Sequence, residues 1–357
     1  MPKKILTSQG CLPGKGHSHA TRLVSLYKVF DHDDRVLVII TADPDAIASA
    51  VALKRLLWRR VAHIDIVSTN EVRRLDNLKL LKALDLRLPL LEETDISHYS
   101  KLVTVDSQPH HHNQTEGLHF SLVVDHHPLP SIPNEVPPEF CDIRPDWGAT
   151  ATILTCYLRA ARIRPNKILA TALFYAIKTD TQNFVRQGKL EDMQAFRWLY
   201  PLIHQPLLSD IESAPISHKS FDVIKKALTV THLRKQYANT FVEHLDHPDT
   251  LVILADFIMQ IDGVNRAIVA GVYEERLIVI LRSAGLRSNV GRLAGEAFGK
   301  YGSAGGHKHM ARAEMPLVGL PHKYSLKHKN LERFISKRLS EALCQKRLSR
   351  AGVIKAT

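Results

Sequence analysis

Four short stretches of the chain put carboxylates where they can act together. They are Asp43 and Asp45 in ADPDAIAS (42–49), Asp106 in VTVDS (103–107), Asp125 with His126 and His127 in VVDHHP (123–128), and Asp180 in KTDTQNF (178–184). The first three follow apolar runs of β character, VLVII (36–40), KLVTV (101–105) and FSLVV (120–124), while Asp180 follows a helical apolar run, 167–177. In an open parallel sheet the C-terminal strand ends share one edge, and ligands bind there. Clustered carboxylates repel one another and are costly to desolvate unless a cation neutralises them. Carboxylate and imidazole ligands without thiolates suit manganese or magnesium better than structural zinc. One carboxylate bridging two such ions about 4 Å apart makes a phosphoryl-transfer site. A lone DPD after a strand is ordinarily a turn and a helix cap. Four acidic clusters at matching positions outweigh that plain reading.

Those residues need a framework that brings strand ends together. VLVII leads into a helical stretch, AIASAVALKRLLWRR, and a further strand is expected at 64–67 (IDIV) with a helix at 73–84. Short buried strands alternating with helices imply a parallel sheet. A Pro-rich loop at 128–138 precedes WGATATILTCYLRAARI, whose threonines suit a helix start. From about 190 to 232 the pattern is helical, broken by Pro201, Pro206 and Pro215. A second block carries expected strands at 250–254 (TLVIL), 267–272 and 277–282, a helix at 288–299 and a Gly-rich stretch at 302–306. The fold class is therefore α/β: an N-terminal extension (1–30), a parallel-sheet domain (31–190), a helical linker (191–232), a smaller α/β domain (233–321) and a basic helical tail (322–357).

In order and approximate spacing, the four acidic motifs resemble those of the DHH phosphoesterases. GSAGGHKHMARAEMPL (302–317) is similar to the GGH signature of the associated C-terminal domain of the first type. The two-domain arrangement looks most like the nano-RNase and pAp-phosphatase branch. The resemblance implies a two-metal hydrolase, with Asp106 bridging the ions, Asp43 on the first, and Asp45, His126 and Asp180 on the second. It implies that Asp125 orients His126, that His127 faces the substrate phosphate, and that a water between the ions attacks. It further implies that Arg282 and Ser283, with Gly305, Gly306 and His307, grip the distal phosphate or base; Arg287 is a weaker candidate. The family usually places a histidine ligand of the first ion four residues before the first motif aspartate, and here that position is Ile39. The expected cofactor is manganese, two ions, with magnesium as the alternative. Expected substrates are short RNAs or pAp. Linear or cyclic dinucleotides, pyrophosphate or polyphosphate, and a nucleotide or RNA sensor without turnover stay open as alternatives.

The remaining features bound the setting. The 357 residues suffice for two domains, and 45% apolar with 24% charged content is a globular profile. No apolar stretch reaches the roughly 18 residues of a membrane span. Four dispersed cysteines argue against a zinc ribbon or disulfide framework, so the chain reads as cytoplasmic, with no membrane partner and homodimer formation left open. Of the net +12, residues 322–357 carry +8, from ten Lys or Arg against two Glu, a charge that attracts polyanions or merely solvates a helix. GCLPGKGHS lacks P-loop spacing and a preceding strand. His110 to His112 read as a solvated loop, and Trp147 and Trp198 as helix-packing aromatics rather than base-stacking ones.

Overall fold

A computed structural model describes residues 18–109, 111, 113–129, 137–184, 188–213, 218–243, 245, 247–285, 288–306, 308–321 and 328–350. His110, His112, Arg287 and His307 lie outside the described residues. The chain divides into two compact units, Met1–Pro215 and Ile216–Thr357.

In the first unit, β1 (Arg35–Ile40), β2 (His63–Ser68), β3 (Lys101–Val105), β4 (Leu122–Asp125) and β5 (Phe140–Ile143) form a parallel sheet in the order β2-β1-β3-β4-β5. The helices are α1 (His19–Tyr27), α2 (Pro44–Leu57), α3 (Leu75–Ala83), α4 (Thr150–Ala160), α5 (Lys167–Asp180), α6 (Leu190–Leu199) and α7 (Gln205–Glu212). VLVII is apolar throughout because both faces of β1 are covered. Val36, Val38 and Ile40 join the large core under α2, α4 and α5, while Leu37 and Ile39 join a smaller cluster with Val67, Phe120, Val123 and Ile143. Each such side chain contributes about 1.5–3 kcal/mol by leaving water. The strand order reverses between β1 and β3, so the crevice beyond their carboxyl ends is the binding position of such a sheet. β5 escapes a reading of the sequence: FCDI is four residues long, follows a Pro-rich loop, and holds a buried aspartate.

The second unit holds α8 (His218–Thr229), β6 (His232–Arg234), β7 (Tyr237–Val242), α9 (Asp249–Ile258), β8 (Arg266–Tyr273), β9 (Arg276–Ser283), α10 (Val290–Phe298), β10 (Ser303–Gly306), β11 (Met310–Pro316) and α11 (His328–Arg350). Its six strands run β10-β11-β9-β8-β7-β6, all antiparallel neighbours except β7 and β8. The strand expected at 250–254 is instead the body of α9. Its buried residues, Thr250, Leu251, Leu254, Ala255 and Ile258, repeat at helical spacing, which five residues of TLVIL are too short to display. The Gly-rich 302–306 stretch is mostly strand β10 rather than a plain turn.

Among the described residues no helix is long and apolar enough to cross a membrane. Cys156 and Cys344 are free, whereas Cys141 is disulfide-bonded, so the expectation of a chain without a disulfide framework does not extend to the absence of any bridge. Distance along the chain does not forbid a bridge; the approach of the Cα atoms decides it.

Candidate metal centre

β1 ends at Ile40, and the chain turns into α2 through Asp43, whose Oδ1 accepts the amide of Ala46 at 2.9 Å as N-cap, with Pro44 following. Asp45, in the first turn, is 2% exposed. β3 delivers Asp106, which has φ +57° and whose amide donates to the Val124 carbonyl at 2.9 Å. β4 ends on Asp125 and passes directly to His126 and His127. Asp180 is the last residue of α5.

These side chains converge. His126 Nε2 lies 3.1 Å from Asp180 Oδ2, 3.5 Å from Asp106 Oδ1 and 3.9 Å from Asp45 Oδ2. Two triplets, Asp45–His126–Asp180 and Asp106–His126–His127, have ligand atoms within 4.8 Å of one another. Asp43 belongs to neither triplet; its carboxylate is turned to the helix it caps. Burial and the neighbouring Asp180 push the Asp45 carboxyl up to about 7, and burial with Asp45 and Asp43 pushes Asp106 well above the usual range. Burial works against a charge on His126, yet Asp180, Asp45 and Asp125 hold it up to about 10. Three carboxylates thus crowd one imidazole, and burial and mutual repulsion make Asp45 and Asp106 resist ionisation unless a cation joins them. Oxygen ligands with a single nitrogen fit a hard divalent cation such as manganese or magnesium.

The neighbours fix the ligands. His126 Nδ1 donates to the Trp147 carbonyl at 3.1 Å, which aims Nε2 at the carboxylates. Asp125, fully buried, accepts from His127 Nδ1 at 2.8 Å and from Gln108 Nε2 at 2.5 Å. Asp125 therefore orients His127, and the expectation that it orients His126 is corrected: the ring directly following it turns away to the Trp147 carbonyl. Burial opposes charge on Asp125, but His127 and His126 hold its carboxyl far below the usual range.

Behind the carboxylates stands the start of α4. Its N-cap residue, Ala149, has no capping side chain, so the first amides seek an acceptor elsewhere. Thr150 N and Ala151 N both donate to Asp45 at 2.7 Å, and Thr150 Oγ1 donates to Asp106 at 2.9 Å. Buried Asp192 of α6 ties this segment down by accepting from Gly148 N at 2.9 Å, Thr152 Oγ1 at 2.6 Å and Lys189 N at 2.7 Å. A Cβ on Gly148 would meet Thr181 Cγ2 at 2.5 Å, so only glycine fits there. Gln108, Trp147, Thr150 and Asp192 were not legible as site residues. The threonines of WGATAT marked a helix start, but the structure makes Ala149 the N-cap and gives Thr150 and Thr152 to Asp106 and Asp192.

In the second unit, Arg282 at the end of β9 is buried and donates through Nε to Asp256 Oδ1 at 2.6 Å. Ser283 donates its amide to the His309 carbonyl, and His309 Nδ1 donates back to the Ser283 carbonyl, both at 2.9 Å. Gly306 has φ +133°, and a Cβ there would meet the Met310 carbonyl at 2.5 Å, whereas one on Gly305 would enter open space. The β10–β11–β9 register places Gly306 opposite Ala311 and Arg282 opposite Met310, so these residues share one end of the sheet.

Comparison with known proteins bears on the first unit most directly. Residues 35–177 match the model of the DHH family, N-terminal domain. An uncharacterized protein of Methanocaldococcus jannaschii is 32% identical over 300 residues, which cover 83% of this chain; the chain spans 61% of the length of that relative. Among solved structures, an exopolyphosphatase-related protein from Bacteroides fragilis superposes with a TM-score of 0.68 at 16% identity, over 92% of this chain and 99% of that one. That likeness is one of fold. A pGpG-specific phosphodiesterase from Vibrio cholerae, 11% identical over 87% of this chain and 99% of its own, reaches a TM-score of 0.32, too low to bear on either fold or function. The strand ends that carry Asp43, Asp45, Asp106, Asp125, His126 and His127 all lie within the segment that matches the DHH family N-terminal domain, and Asp180 stands just beyond it.

Proposed function

We propose that the chain is a divalent-metal-dependent phosphoesterase that hydrolyses short oligoribonucleotides or pAp. The convergence of Asp45, His126 and Asp180 with Asp106, inside the segment matching the DHH family, carries this reading. Asp106 would be shared by two ions, with Asp43 on the first and Asp45, His126 and Asp180 on the second. Manganese is the proposed ion and magnesium its substitute. Ions bound there supply Lewis acidity toward a phosphoryl oxygen and a water of lowered pKa.

The chain's own residues do the rest. The Trp147 carbonyl keeps one His126 proton on Nδ1, so that loss of the other to an incoming cation would free the Nε2 lone pair. Asp125 holds His127, whose side chain is 27% exposed, ready to meet a substrate phosphate. Arg282, Ser283, Gly305, Gly306 and His307 are proposed to grip the far end of the nucleotide. Arg282 keeps guanidinium N–H groups beyond those given to Asp256 and the Leu281 carbonyl, enough for a phosphate.

A second reading, nucleotide binding without turnover, rests on Ile39. It is 1% exposed in an apolar cluster where the family usually has a histidine ligand. The experiment is a manganese-supplemented panel of pAp, linear and cyclic dinucleotides, polyphosphate and RNAs of graded length. Turnover of pAp or the shortest RNAs supports the first reading. Turnover confined to dinucleotides or polyphosphate redirects it, and binding with no turnover selects the second. Titration calorimetry of the substrate-free protein is expected to show one tight ion and one much weaker.

A further inference from the structure

The chain segment RAARIRPNK (159–167) carries Arg159, Arg162 and Arg164 around the C-terminal end of α4, with no acidic residue among them. They line a cavity of about 470 Å³ together with Ile163, Trp198, Pro201 and Leu202. Its volume lies within the range of small-molecule sites, about 300–1,000 Å³. Among the described residues no carboxylate forms an ion pair with any of the three arginines. The carboxyl end of α4 contributes about half a negative charge. Three guanidinium groups outweigh it, so the cavity is positive on balance. Trp198 is partly buried, packs against the core, and has Arg159 Cζ 5.9 Å from its ring centre.

We infer that this cavity is a second ligand site, taking a nucleoside 5′-phosphate, free or at the end of an RNA strand. The phosphate is held by the arginines and the base rests on Trp198. Guanidinium groups bind phosphate in a bidentate manner, and an indole beside them stacks any base, which gives affinity without sequence preference. A free inorganic phosphate would leave the indole unused. The site is separate from the metal centre. α4 touches Asp45 with its first amides and lines the cavity with its last residues, and its 11 residues span about 16 Å. The inference does not depend on turnover at the metal centre.

The test uses the full chain with Asp106→Asn and a chelator present, so that no ligand is consumed. Titration calorimetry with 5′-AMP, a 5′-phosphorylated RNA dinucleotide and inorganic phosphate reads binding. AMP or the dinucleotide should bind saturably, and Arg162→Glu with Arg164→Glu should weaken both at least tenfold. These two residues are exposed, so the fold is retained, and an unchanged melting temperature checks that. Trp198→Leu should weaken the nucleotides at least fivefold and leave phosphate unchanged. Tighter binding of the dinucleotide than of AMP would identify RNA ends as the ligand, and equal binding free nucleotides. Nucleotide affinity indifferent to the double arginine substitution, or inorganic phosphate binding as well as AMP, would overturn the proposal.

Discussion

Asp106 stands in the left-handed backbone region, a conformation that costs a non-glycine residue about 1–2 kcal/mol. The cost is met at a strand end where its carboxylate accepts from Thr150 and faces His126. Asp106→Ala is expected to abolish hydrolysis and lower bound manganese, measured by elemental analysis, while melting cooperatively. Near-normal turnover of the folded variant would contradict the two-metal reading. Protonation gives an independent check. An incoming cation displaces protons from His126, held up to about 10, and from Asp45, held up to about 7. Metal affinity should therefore rise with pH between about 6 and 8 as the proton competes less, and binding should release protons. Calorimetry in two buffers of different ionisation enthalpy reads that release, and an affinity flat across this range would speak against it. At this scale the sequence pointed to the side chains that converge and hid their supports. Asp45, Asp106, His126 and Asp180 announce themselves as polar breaks after apolar runs. The Trp147 carbonyl carries no side-chain signature at all, and Asp125 looks equally suited to either neighbouring histidine until the rings are placed.

Elements decide how rigid that arrangement is. The start of α4 spends its amides on Asp45, a carboxylate from another helix, and Asp192 of α6 holds the preceding turn in place. Asp192→Ala leaves Gly148 N, Thr152 Oγ1 and Lys189 N without this acceptor. Stranding the two buried donors, Gly148 N and Thr152 Oγ1, costs about 1–3 kcal/mol each. The variant should lose about 3 kcal/mol or more of stability in denaturant titrations, and its manganese affinity should fall as well. Asp192→Asn, which keeps one acceptor oxygen, should recover part of both. Lost stability with metal affinity intact would mean that the turn is held for the metal centre by other contacts. Parallel strands were legible as unbroken apolar runs because both faces of the sheet are covered. TLVIL misled because its register with Ala255 and Ile258 emerges only over ten residues.

At the scale of the molecule, two units divide the proposed work. Arg282 belongs to the second unit, whereas the carboxylates belong to the first. Arg282→Ala is therefore expected to raise KM or lower kcat/KM about tenfold or more while leaving manganese content unchanged. Loss of metal in that variant would contradict the division. The α/β character of both units was readable, and so was the convergence of Asp45, Asp106, His126 and Asp180. Which pairs of residues share an edge of the second sheet was not, since antiparallel register depends on partners far along the chain.

The triplet Asp45, His126 and Asp180 has one more consequence. Its members are far apart in sequence, on α2, beyond β4 and at the end of α5, so the triplet exists only when the whole parallel sheet and its covering helices are assembled. An ion bound there would act as a reversible staple across long loops and would stabilise the native state over chains that have opened anywhere between them. Chelation should speed unfolding and expose the first unit to protease, and restored manganese should reverse both. If unfolding rates were the same with and without the ion, the ion would not be bridging these elements.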